Sequence, residues 1–287
     1  MSRTVLVTGA SSGIGRAVAL ELASRGDQLV LLARRVDALE AVASACRARG
    51  AGSVSVRPCD VADRAALELA FDTFTRLDAV VHAAAVAAYG RFTEIPGDVF
   101  DRVQEVNLLG TANVSRAAIG RFETQGAGHL VLFGSVLGKT AAPYLSPYVT
   151  SKWGVHGLAR TLQGELRVPS VSVSVVEPGG VDTTLYEKAA SYLGVQGKPP
   201  PPVMTAEQVA RATVNVLDHP RRERSVGKAN PLLTWGFRLV PAAYDAVVAP
   251  VMSRIGLAER PVADHRGNLF DPVAEPTPEE VRDARRS

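Results

Sequence analysis

Short runs of apolar residues alternate along this chain with longer stretches whose apolar positions recur every three or four residues. The runs are residues 4–7 (TVLV), 28–33 (QLVLLA), 53–57 (SVSVR), 78–84 (DAVVHAA), 129–133 (HLVLF) and 171–176 (VSVSVV). Most do not alternate with polar residues. They predict strands buried on both faces, as in a parallel sheet. Between them, Leu39, Val42, Ala43 and Cys46 mark one face of a helix over residues 37–49. Leu67, Phe71, Phe74 and Leu77 do the same over residues 63–77. The order predicts a doubly wound parallel sheet, three layers α/β/α, with ligands at the carboxyl ends of the strands. No internal repeat and no long linker precedes residue 230.

The pattern then changes. Residues 232–257 (LLTWGFRLVPAAYDAVVAPVMSRIGL) are rich in apolar side chains, broken by Pro241 and Pro250 and charged by Arg238, Asp245 and Arg254. The expected division is a main α/β domain over residues 1–230 and an extension over 231–287, made of covering helices and a polar tail. The last ten or so residues are expected to be loosely ordered. The apolar segment is expected to close a pocket or form an oligomer interface. The competing reading is peripheral membrane contact, with residues 221–228 (RRERSVGK) near anionic lipid.

Composition narrows the choice. A chain of 287 residues, 46% hydrophobic and 21% charged, suits one large α/β domain. Its formal net charge of +3 comes without a long Lys/Arg run or a basic stripe interleaved with aromatics, which argues against a nucleic-acid partner. Cys46 and Cys59 lack CxxC spacing and cannot make a disulfide framework, which fits reducing cytoplasm. The opening MSRTVLVTGASSGIG turns from a short apolar run directly into glycines, unlike a signal peptide. No stretch reaches the roughly 18 apolar residues of a membrane span. No metal-ligand spacing is evident.

The first strand runs into Thr8-Gly-Ala-Ser-Ser-Gly-Ile-Gly15, and a helix follows. Gly9 permits a tight turn, Gly13 lets backbone approach a pyrophosphate, and Gly15 lets helix and strand pack closely. Ser11, Ser12 and Ile14 complete the loop, and the helix N-terminus offers unpaired N–H groups to phosphate. The second strand ends in Arg34 and Arg35, where an NAD site usually carries a carboxylate. Arginine suits the 2′-phosphate of NADP instead, so NADP(H) is the expected cofactor, with NAD as the lesser one.

Further on, Tyr148 and Lys152 stand four apart at the start of a helical pattern and therefore share a face. A phenol titrates near pH 10, and a neighbouring ammonium favours its ionised form. Ser135 lies past the carboxyl end of a buried strand. Asn107 sits inside a helix predicted over residues 103–118, where it suggests a local kink.

At these residues the chain resembles the short-chain dehydrogenases/reductases, over roughly residues 3–230. TGASSGIG matches that family's cofactor loop at every fixed position, and Asn107, Ser135, Tyr148 and Lys152 match its tetrad in order. The resemblance implies a Rossmann fold and an oxidoreductase that interconverts a carbonyl and an alcohol by hydride transfer. It implies Tyr148 as acid/base and as a cofactor contact, and Lys152 as its pKa tuner and ribose ligand. Ser135 becomes the donor to the substrate oxygen, and Asn107 the holder of a relay water. Asp60 and Val61 would line the adenine, and Pro178, Gly179, Val181 and Thr183 would position the nicotinamide. Ala84 would also contact the cofactor. His82-Ala83-Ala84-Ala85 departs from the family's Asn-Asn-Ala-Gly. His82 is expected to bond across the sheet core, and the Ala85 methyl to crowd the cofactor.

Residues 184–202 (TLYEKAASYLGVQGKPPPP) fall where the family has a mobile substrate lid, stiffened here by four prolines. Tyr186, Tyr192 and Leu193 are candidate apolar contacts there, with Leu137 and Tyr144 near the catalytic residues. Such a pocket favours a lipophilic ketone, aldehyde or alcohol. The family's habit of pairing the helices of Asn107 and Tyr148 implies a homodimer or homotetramer. The alternatives are a catalytically silent nucleotide sensor, which should lack the Tyr/Lys pair, and a peripheral membrane lipid or steroid reductase.

Overall fold

The computed structural model describes residues 2–72 and 74–273. Its centre is a seven-stranded, wholly parallel sheet: β1 (Thr4–Thr8), β2 (Gln28–Ala33), β3 (Ser53–Pro58), β4 (Ala79–His82), β5 (Gly128–Phe133), β6 (Val171–Pro178) and β7 (Glu223–Val226). The strand order is β7-β6-β5-β4-β1-β2-β3. The chain therefore starts mid-sheet and winds outward in both directions, which leaves a crevice beyond the carboxyl ends of β1 and β4. Register in that pair sets Thr8 beside His82.

Both faces are covered, as the continuous apolar runs require. On one face α1 (Gly13–Ala23), α2 (Val36–Ala48) and α8 (Ala206–Asp218) bury Val18, Leu39 and Val214 with Val5, Val7 and Leu31. On the other, α3 (Arg64–Asp72), α4 (Gly97–Gln104), α5 (Gly110–Gln125) and α6 (Ser146–Glu165) bury Leu67, Val103, Phe122 and Ala159 with Leu6, Val80 and Leu130. A capping box starts α8: Thr205 accepts from the Gln208 N–H while the Gln208 side chain accepts from the Thr205 N–H. The short α7 (Leu185–Lys188) lies in the predicted lid.

Four expectations need correction. β7 escaped the hydrophobic pattern because ERSV is mostly polar and lies at the sheet edge, where one side faces solvent. It runs through the basic stretch that had been a candidate for lipid contact. Next, α3 ends at Asp72, so Phe74 and Leu77 do not extend its stripe, although Leu77 is fully buried. The helix expected over residues 103–118 is instead α4, a π-helical turn at Glu105–Leu109 holding Asn107, and α5. The kink was expected; its π form, one residue wider per turn, is a common device at functional sites. Finally, Pro241 separates α9 (Asn230–Leu239) from α10 (Pro241–Ile255), but Pro250 lies inside α10 without ending it.

After α10 the chain returns to the body. Leu257–Pro261 pairs antiparallel with Val195–Gly197 in the lid, and Leu269 is fully buried in the main core. The tail end expected to be loosely ordered lies outside the described residues. Among the described residues no helix is long and apolar enough to cross a membrane.

Candidate active site

A cavity of about 370 Å³ opens at the crevice and runs from β2 to α10. Its near wall is the glycine-rich loop. Gly9 has φ +64°, and a Cβ there would stand 2.7 Å from the Ala84 nitrogen. A Cβ at Gly15 would come within 2.3 Å of the Gly9 carbonyl oxygen. Both positions exclude any larger residue, and the resulting turn delivers the N-terminus of α1 to the cavity with Ser11, Ser12, Gly13 and Ile14. This is a cradle of backbone N–H groups suited to a pyrophosphate. Ala84, Pro178, Gly179, Val181 and Thr183 line the same cavity, as do Asp60 and Val61. The residues present thus fit a dinucleotide along the whole length expected of them.

Arg34 and Arg35 reach the far end of this groove, with company the sequence did not reveal. Arg34 donates to backbone carbonyls of Asn268, Leu269 and Phe270, and Arg35 to that of Val273. Asp60 Oδ1 accepts from the Ala62 N–H at 2.9 Å, and Oδ2 pairs with Arg102 of α4. Arg102 was missed because an arginine on an exposed-looking helix carries no signal of its partner 42 residues away.

At the opposite end three of the tetrad residues, Ser135, Tyr148 and Lys152, line the cavity. Ser135 follows β5 and accepts the Leu137 N–H at 3.1 Å, capping a single 3₁₀ turn. Tyr148 and Lys152 are one turn apart near the start of α6, and Tyr148 and Ser135 line the same end of the cavity. Lys152, only 4% exposed, donates to the Phe133 carbonyl at 2.8 Å, with Nζ 5.6 Å from the centre of the Tyr148 ring. Burial lowers the Lys152 pKa to about 8. Burial also raises that of Tyr148, with Tyr186 adding to the rise and the Ser135 hydroxyl opposing it. The ammonium was expected to pull the phenol down. Here it donates to a main-chain carbonyl, and desolvation is the largest influence on the phenol.

Asn107 does not line the cavity. It is buried behind it, where Oδ1 accepts from the Val86 N–H and Nδ2 donates to the Val86 carbonyl, both at 2.9 Å, and to Ser151 Oγ at 3.0 Å. It therefore fastens the π turn to the segment after β4 and to α6. His82 bridges as expected: Nδ1 lies 2.8 Å from Thr8 Oγ1 and Nε2 3.0 Å from Thr111 Oγ1. Thr111 in turn donates to the Asn107 carbonyl. Burial holds His82 neutral by lowering its pKa to about 3.

The substrate end is built differently from expectation. Leu137 and Tyr186 line it, but Tyr144, Tyr192 and Leu193 do not. Tyr144 adopts φ +70°, and its ring faces the Arg91 guanidinium. Tyr192 packs on the main core, and Leu193 in a satellite cluster. The wall comes instead from Val86, Tyr89, Ala142 and Leu145, and the roof from Leu233, Tyr244, Val248, Val251, Met252 and Ile255 of α9 and α10. Tyr244 anchors that roof by donating to the Ala141 carbonyl at 2.8 Å. An apolar segment rich in helix formers says only that something covers it; its partner depends on how the chain folds back.

Among the described residues one group has metal-ligand character, His156, Glu177 and Glu223. The Lys139 ammonium already serves its carboxylates, lying 2.7 Å from Glu177 and also paired with Glu223. Both cysteines are buried, and burial pushes their thiols up to about 11.

A doubly wound sheet with a glycine cradle at its switch point, and a Ser–Tyr–Lys group across the cavity from it, defines a nucleotide-dependent oxidoreductase. The family model for short chain dehydrogenases matches residues 3–192, and the chain belongs to that family. Among curated relatives, the uncharacterized oxidoreductase YxnA of Bacillus subtilis (strain 168) is 30% identical over 267 residues, covering 90% of this chain and 75% of the relative. Sepiapterin reductase of Chlorobaculum tepidum is 31% identical, covering 77% and 93% respectively. Among solved structures, a short-chain dehydrogenase from Sphingobium yanoikuyae in complex with NADPH superposes with TM-score 0.71 at 28% identity, covering 91% of this chain and 99% of that one. An alcohol dehydrogenase from Thermococcus sibiricus complexed with 5-hydroxy-NADP gives 0.68 at 30% identity, covering 79% and 95%.

Proposed function

We propose that this protein is an NADP(H)-dependent oxidoreductase that interconverts a lipophilic carbonyl compound and its alcohol. The observation that carries the reading is that Ser135 and Tyr148 line one cavity with the glycine cradle, with Lys152 buried beside the Tyr148 ring. When bound, the nicotinamide supplies or accepts the hydride. Ser135 orients the substrate oxygen, and Tyr148 gives that oxygen its proton or takes it away. A phenol kept in its acid form by burial is suited to donating. Lys152 adds positive charge beneath the site. Asn107 acts by holding the π turn against α6.

NADP is favoured over NAD by Arg34 and Arg35 at the adenosine end, and by the NADP ligands of the two superposed proteins. The lipophilic substrate follows from a pocket walled by Val86, Leu145, Val248, Val251 and Met252, where an unpaired polar group would be costly. Two free, buried cysteines support a reducing cytoplasm. Exposed Leu109 and Trp153 support pairing of the π turn and α6 with a second copy.

The test is a panel of ketones, aldehydes and secondary alcohols with NADPH and NADP⁺, run beside Tyr148→Phe. Turnover that favours apolar substrates and collapses in the variant is expected. A panel with no turnover in either direction would refute the enzyme reading and leave the silent sensor.

A further inference from the structure

The last described stretch of the chain ends on the two arginines assigned to the cofactor. Arg34 Nη1 donates to the Leu269 and Phe270 carbonyls at 3.0 and 3.1 Å, and Nη2 to the Asn268 carbonyl at 2.5 Å. Arg35 Nη1 donates to the Val273 carbonyl at 2.7 Å. From α4, Arg102 Nε donates to the same Leu269 carbonyl at 3.1 Å. A guanidinium has five N–H donors. The tail engages Nη1 and Nη2 of Arg34, and its Nε–H has no acceptor among the described residues. N–H groups left over on a guanidinium held in this way are what a phosphate takes.

The other side of this stretch is tied to the lid. The Asn268 N–H donates to the Lys188 carbonyl at 2.9 Å, and His265 and Ser191 exchange backbone hydrogen bonds at 3.0 and 3.1 Å. Gly267, at φ +53°, nests on the same loop: a Cβ there would fall 2.2 Å from the Lys188 carbonyl oxygen. Leu269 pins the segment into the core, and Arg266 clamps it to α4 through Asp98 at 2.8 Å.

We propose that residues 265–273 form a positioning strap that holds Arg34 and Arg35 ready for the 2′-phosphate of NADP(H), which makes the C-terminal segment a determinant of cofactor choice. The inference rests on the NADP reading above. A free arginine side chain loses much rotamer freedom when it binds a phosphate. Three carbonyls that fix it beforehand remove that loss from the binding step. The 2′-hydroxyl of NAD draws no comparable benefit, so the strap favours one cofactor over the other.

Gly267→Val unseats the strap from a position outside the cavity, although Asn268, Pro272 and Val273 of the strap line it. Dissociation constants for NADPH and NADH, read by fluorescence titration, are expected to change unequally. NADPH should weaken about tenfold, the order of one charge-assisted hydrogen bond, while NADH stays within about twofold. Equal weakening of both would mean a merely structural strap, and tighter NADPH binding would mean carbonyls that compete with the phosphate; either result overturns the proposal. The unmodified protein supplies a second test that needs no variant. NADPH should slow hydrogen exchange across residues 265–270 more than NADH does, and equal protection counts against the strap. If the unmodified protein shows no preference for NADPH, the cofactor reading itself fails. If it prefers NADPH and the variant keeps that ratio, the strap alone fails.

Discussion

His82 joins two strands and two functional segments by reaching Thr8, at the end of β1, with one ring nitrogen and Thr111, at the start of α5, with the other. Thr8 opens the glycine loop, and Thr111 bonds the carbonyl of Asn107. One neutral imidazole thus ties the cofactor cradle to the π turn behind the catalytic residues. Its 3% exposure leaves no water to replace either bond.

That arrangement makes the fold sensitive to acid. The folded-state pKa of His82 lies near 3, below the ordinary 6.5, so the unfolded chain binds a proton that the folded chain refuses. Its stabilisation is present above pH 6.5 and is lost as pH falls toward 3. His129 and His156, lowered to about 4 by burial, act in the same direction. Glu177, raised to about 7 by burial, opposes them, since its contribution is fullest at low pH and fades as pH rises toward 7. Three groups outweigh one. Denaturant unfolding should therefore show stability falling from pH 6.5 to pH 5. In His82→Asn the slope should be shallower by about 1.4 kcal/mol per pH unit, one proton's worth. An unchanged slope would mean that His82 titrates normally.

Tyr148→Phe should lower kcat by about a hundredfold or more while changing NADPH affinity far less, because the variant removes the proton donor and leaves the glycine cradle and Arg34 in place. Lys152 offers a pH signature. Its pKa near 8 means that the ammonium is present below pH 8 and lost above it. Activity that depends on that charge should decline above pH 8 in the unmodified protein, and Lys152→Met should lack this limb. Steady-state rates between pH 6 and pH 10 check both statements. A limb that survives in Lys152→Met must belong to another group.

Arg34→Asp places a carboxylate against the 2′-phosphate and leaves the carbonyls of Asn268, Leu269 and Phe270 without their donor. NADPH affinity should fall about ten- to a hundredfold, with relative NADH use rising. Titration with both cofactors checks it, and an unchanged preference would remove Arg34 from the site.

Much of this was legible in the chain, for reasons particular to each part. Buried parallel strands write continuous apolar runs, so six of the seven strands of the sheet stand out; ERSV at the edge does not. TGASSGIG is legible because Gly9 and Gly15 sit where a Cβ collides with backbone. Helical spacing puts Tyr148 and Lys152 on one face, and the resemblance that joins them to Ser135 and Asn107 supplies their roles. Arg102, Tyr89 and the strap were not legible. Their roles depend on partners far along the chain, such as Leu269 for Arg102, and no local period encodes such a meeting. Tyr144 was misplaced for the converse reason. It is close in sequence to Tyr148, yet a left-handed backbone turns it toward Arg91.

The roof of the substrate end offers the sharpest test of the lipophilic reading. Val248 lies on α10, lines the cavity and packs with the cluster around Tyr89, Leu145 and Met252. It belongs to none of the segments that cradle the cofactor. Val248→Asp places an ionised carboxylate against an apolar substrate with no cation provided for it, and such a group costs at least about 1–3 kcal/mol in a protein interior. For apolar ketones kcat/KM should fall about ten- to a hundredfold, mostly through KM, while NADPH affinity holds. Small hydrophilic carbonyls, which do not reach the roof, should lose little. An equal loss for both classes would place the substrate elsewhere in the cavity. A gain for basic or polar substrates would still locate the roof beside the substrate and would turn the lost apolar contact into a measure of how much α10 contributes to specificity.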